Sequence, residues 1–94
     1  MNLEDIRRQI DDVDSEMIQL FCRRMELVKG VAEYKIENGL PVLRPERENE
    51  ILSRVSRRAG DEFGGYAEDL FKCIMRVSRE MQQKIIDGRE SAQK

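Results

Sequence analysis

At 94 residues the chain has room for one domain whose own core is small, a size at which association between copies is a common remedy for marginal stability. With 39% hydrophobic and 38% charged residues it is too apolar to remain unfolded and too charged for a bilayer, and no run is long enough to span one. The net charge of −2 gives no reason to expect a nucleic-acid partner, and the absence of histidine removes the commonest general base and zinc ligand.

The opening residues Asn2-Leu3-Glu4-Asp5 are acidic and carry no apolar signal-peptide core, which points to the cytoplasm. From there Leu3, Ile6, Ile10, Val13, Met17, Leu20, Arg24, Leu27, Val31 and Tyr34 recur in steps of three and four, the stripe of a long helix of coiled-coil type. Asn2 can cap its start, Glu4 and Asp5 suit its first turn, and Asn38-Gly39 can end it. A helix of this length, about 50 Å, outruns a compact monomer of about 13 Å radius of gyration, so its stripe stays wet unless another chain covers it. Pro45 is a good first residue for a second helix, with Glu46 and Glu48 in its first turn. That helix carries Ile51, Leu52 and Val55 and is expected to stop near Ala59-Gly60. After the glycines at 60, 64 and 65, a third helix is expected from Tyr66 to Asp87-Gly88, burying Leu70, Phe71, Ile74, Val77, Met81 and Ile85. Residues 1–88 thus read as one all-α domain of three helices, one very long, and 89–94 as a polar tail. Cys22 and Cys73, far apart and each within a helix, read as reduced packing residues, and two isolated cysteines do not make a metal site.

Arg24 breaks the apolar stripe. Buried without a partner it would be costly, so it either pairs with an acidic residue or serves a site. Lys35, about three turns on, points nearly the same way, whereas Arg7 faces roughly 100° away and could join them only from a second, antiparallel chain. Taken singly, Lys35, Arg7, Arg47 and Glu48 also read as solvated face residues, and Ser78 and Gln82 as a polar pair bonded to backbone. Taken together, cations and polar tips from three helices could converge on a pocket for a small dianion, since guanidinium groups grip carboxylates in bidentate fashion.

From about Leu3 to Gln83 the sequence resembles the all-helical chorismate mutases of the bacterial type. The resemblance lies in Ile6-Arg7-Arg8-Gln9-Ile10-Asp11-Asp12-Val13-Asp14, in Leu20 to Leu27 with Val31 and Lys35, in Pro41-Val42 with Pro45-Glu46-Arg47-Glu48, and in Leu70-Phe71 with Ser78 and Gln82. It implies an intertwined helical homodimer with two sites, no cofactor and no metal. It also implies roles: Arg7 reaches from the partner chain to a substrate carboxylate, and Arg24 holds a carboxylate from its own chain. Lys35 contacts the ether oxygen and a carboxylate, and Gln82 donates to that oxygen. Glu48 accepts from the ring hydroxyl, Ser78 helps hold a carboxylate, Arg47 adds positive potential and Val31 lines the pocket. Arg44 stands where one branch of the family has aspartate, a change that bears on affinity or substrate preference. The implied reaction, chorismate to prephenate, is pericyclic and needs neither nucleophile nor general base, only proximity and donors for the charge growing on the ether oxygen. Two other readings stay open: an isochorismate pyruvate-lyase of the same fold, against which Glu48 argues, and a non-catalytic helical dimerisation module, which leaves Arg24 and the Ser78/Gln82 pair unexplained.

Overall fold

The long first helix forms as its sequence dictates. In a computed structural model, which describes residues 2–92, α1 spans Leu3–Asn38, and the Asn2 side chain accepts from the Asp5 amide at 2.9 Å. The helix ends at Gly39, whose φ of 63° and ψ of 32° are left-handed, and the amides of Gly39 and Leu40 both donate to the Lys35 carbonyl. That geometry carries little strain for glycine and satisfies the Lys35 carbonyl, one of the orphan carbonyls of the last turn. Five residues then reverse the chain, and Pro45 opens α2, Pro45–Ala92, with Glu46 and Glu48 in its first turn.

The number of helices is corrected by the structure. Where the glycines at 60, 64 and 65 suggest a loop between a second and a third helix, α2 runs through as one element of 48 residues. Only Gly60 leaves the helical region, with φ 84° and ψ 177°, a combination open essentially to glycine alone. This single residue absorbs the bend, so 61–65 continue the helix. A Cβ on buried Gly64 would lie 3.0 Å from the Ser56 backbone oxygen, which shows how closely the two arms of α2 approach at the bend. The expected three helices per chain are therefore two, the second kinked. The helix also continues past Gly88 to Ala92, so residues 89–92 of the expected polar tail are helical, while 93 and 94 lie outside the described residues.

The two helices meet along the last third of α1. Val28, Ala32, Ile51 and Met75 are the buried apolar residues, joined by the polar Ser78 and Gln82. The buried face of α1 is thus one step round from the expected stripe: Leu27, Val31 and Tyr34 are exposed, and so is every stripe residue from Leu3 to Leu20. The stripe and the α1–α2 contact are two different faces of one helix. Cys22 and Cys73 are free and exposed, not packed. The molecule is elongated, 60 × 26 × 14 Å, with a radius of gyration of 16.9 Å. Among the described residues no helix is long and apolar enough to cross a membrane.

Candidate active site

The chain reversal at 39–44 lays the end of α1 against both arms of α2, and a cavity of about 450 Å³ opens there. Every candidate residue except Arg7 lines it: Arg24, Val31, Lys35, Arg44, Arg47, Glu48, Ser78 and Gln82. Arg7 is exposed and lies about 25 Å along the axis of α1 from Arg24, too far to reach the cavity of its own chain.

Two of the cations, Arg24 and Lys35, are held by neutral groups, whereas Arg47 is paired with Glu50. The Arg24 Nη1 donates to Ser78 Oγ at 2.7 Å, and that hydroxyl in turn donates to the Ile74 carbonyl at 2.8 Å. Lys35 Nζ donates to the Val42 carbonyl at 2.7 Å and to Gln82 Oε1 at 2.8 Å. Neither Arg24 nor Lys35 has a carboxylate within ion-pair distance among the described residues, so the pairing with an acidic residue open to Arg24 is not formed. Both are partly buried. Burial pushes the Arg24 pKa down from its ordinary value, and the nearby Arg47 charge adds to this. Burial likewise lowers the Lys35 pKa, Arg44 lowers it further, and Glu48 acts in the opposite sense.

The hydrogen bonds leave useful valences open. With its oxygen engaged by Lys35, the Gln82 amide has its NH₂ left to donate, and Lys35 keeps one of its three N–H groups. Two donors so placed can converge on a single oxygen. Ser78 and Gln82 are buried with Ser78 Oγ and Gln82 Oε1 both hydrogen-bonded, and among the described residues no fully buried side-chain nitrogen or oxygen lacks a partner.

Arg79 escapes notice in the sequence and belongs here. It lines the cavity and pairs with Glu48, which also lines it. The available signal was spacing: Met75, Ser78, Arg79 and Gln82 share one helical face. The cavity wall carries five cations (Arg24, Lys35, Arg44, Arg47 and Arg79) against the single carboxylate of Glu48, in a chain whose net charge is −2. Among the described residues no group of three or more histidine, cysteine or acidic side chains is placed to hold a metal ion.

A cavity that gathers five cations, with Arg24 and Lys35 unpaired with any carboxylate among the described residues, is chemically suited to a small polyanion. The chain belongs to the family described as chorismate mutase type II, which it matches over residues 6–83. It is 43% identical over 74 residues to the T-protein of Haemophilus influenzae, covering 79% of this chain and 19% of that protein. It is 40% identical over 55 residues to the chorismate mutase of Methanocaldococcus jannaschii, covering 58% of this chain and 56% of that one. A 4-amino-4-deoxychorismate mutase of Streptomyces venezuelae is 30% identical over 59 residues, covering 63% of this chain and 57% of that protein. The chain spans about a fifth of the length of the T-proteins it matches. No solved structure gives a significant match.

Proposed function

We propose that this domain is a chorismate mutase, rearranging chorismate to prephenate in the cytoplasm as part of Phe and Tyr biosynthesis. The observation that carries the reading is the pair Arg24 and Lys35, partly buried at one cavity and unpaired with any carboxylate among the described residues. A dianion supplies the missing counter-charge. Arg24 and Ser78 hold one carboxylate, and Arg44 and Arg47 add attraction at the cavity wall. With the enolpyruvyl chain folded over the ring, a carbon–carbon bond forms while the ether carbon–oxygen bond breaks. Lys35 and Gln82 meet the negative charge growing on the ether oxygen with donors that are already oriented. Steady-state loss of chorismate, with prephenate identified as product, tests this. Conversion of isochorismate to salicylate and pyruvate in place of that reaction would reassign the domain to the lyases.

A second copy of the chain is the proposed partner. Its support is the exposed stripe from Leu3 to Leu20, and an Arg7 that cannot reach its own cavity. Arg7→Ala and Arg24→Ala subunits, each inactive alone, are then expected to recover up to about a quarter of the wild-type rate when mixed, because each mixed dimer holds one intact site. Mixtures that stay inactive after subunit exchange would exclude a shared site.

A further inference from the structure

We propose that Arg79 is a positioning residue that sets substrate specificity by occupying the charge of Glu48, so that this carboxylate serves a neutral ring hydroxyl and gives no foothold to a ring ammonium. The proposal rests on the chorismate reading above. Arg79 Nη1 donates to Glu48 Oε1, joining the C-terminal arm of α2 to its first turn. It is the one ion pair among the described residues whose two partners both line the cavity. The side chains are only 32% and 22% exposed, so the pair is screened less than a surface one. Glu48 Oε2 has no protein partner among the described residues, and a carboxylate offers about four acceptor sites, so Glu48 can still accept from a hydroxyl while Arg79 holds its other oxygen.

A ring hydroxyl needs an acceptor and brings no charge. A ring ammonium brings a positive charge into a wall already lined by Arg24, Lys35, Arg44 and Arg47. Its one favourable contact there is a carboxylate whose charge is free, and Arg79 removes that. Without Arg79, Glu48 faces the guest unneutralised and the ammonium gains a partner, so the choice between the two substrates narrows.

The test is a competition between chorismate and 4-amino-4-deoxychorismate, the analogue with an ammonium in place of the hydroxyl, read as the ratio of their kcat/KM values. In Arg79→Gln the preference for chorismate is expected to fall about tenfold or more, and in Arg79→Lys, which keeps the charge, to stay within about threefold of wild type. Partial unfolding lowers both rates together and leaves the ratio unmoved, so the readout isolates specificity from stability. A ratio unchanged in Arg79→Gln, with wild type active on chorismate, overturns the role of Arg79 and leaves the mutase reading standing. A wild-type protein that converts neither compound overturns both.

Discussion

Lys35 has the most at stake in this cavity. Its ammonium is held by Val42 and Gln82 and has no ion-pair partner among the described residues, so the protein bears the cost of an unneutralised charge where a substrate oxygen would sit. Lys35→Ala is expected to lower kcat/KM by about two or more orders of magnitude, the loss typical of a missing oxyanion donor, as measured on folded variant protein; near-normal rates would remove Lys35 from the chemistry. The lowered Lys35 pKa gives a second test. Activity needs the protonated form, so kcat/KM should fall with rising pH below the ordinary lysine range. A bound dianion favours the charged form, so kcat should persist to higher pH than kcat/KM. Removing the Arg44 charge in Arg44→Ala should shift the kcat/KM limb upward, and Tyr34→Phe should leave it in place. Linkage gives the stability sign. In the window between the lowered folded pKa and the ordinary one near 10.5, the unfolded chain binds more protons, so the unliganded protein gains stability as pH rises through it. Urea unfolding of Lys35→Gln should lack that gain.

Among the elements, α2 departs furthest from its sequence pattern, and the reason lies in one residue. Pro45, Gly39 and the Asn2 cap act within a turn of their own positions, which is why the helix starts and the end of α1 are legible along the chain. The glycines from 60 to 65 give the same local signal as a loop. In the structure the bend is confined to Gly60, and Gly64 packs closely on Ser56 across it. Gly60→Ala places a Cβ in a region closed to it and is expected to cost about 1–3 kcal/mol, a fall in Tm on the order of 5–20 °C. Gly64→Ala should also destabilise, since the facing Ser56 oxygen belongs to a helix backbone that cannot move aside. Thermal unfolding followed by circular dichroism reads both, and an unchanged Tm for Gly60→Ala would mean that α2 does not need its kink.

At the scale of the molecule, the dominant fact is exposure. A compact chain of this length would have a radius of gyration of about 13 Å, against the 16.9 Å observed. Ile10, Val13, Met17 and Leu20 stand 48–62% exposed on the outer length of α1. The second copy proposed above would cover this apolar strip. Ile10→Glu or Val13→Asp is expected to convert the species in solution to the 11.0 kDa chain and to reduce activity at least tenfold, because Arg7 is then no longer delivered. Sedimentation of wild type as a single chain at assay concentration, with full activity, would contradict this.

Helix type, both helix starts and the oddity of Arg24 within an apolar stripe were decided by residues within a few places of one another, since caps, prolines and apolar spacing act locally. Which face of α1 is buried, that Gly60 bends a helix without ending it, and that Glu48 is met by Arg79 were decided only when the chain turned back on itself. Arg24 and Ser78 are separated by 54 positions and Lys35 and Gln82 by 47, and no periodicity reports on contacts that far apart. The cavity belongs to the tertiary structure because it exists only where α1 and both arms of α2 come together.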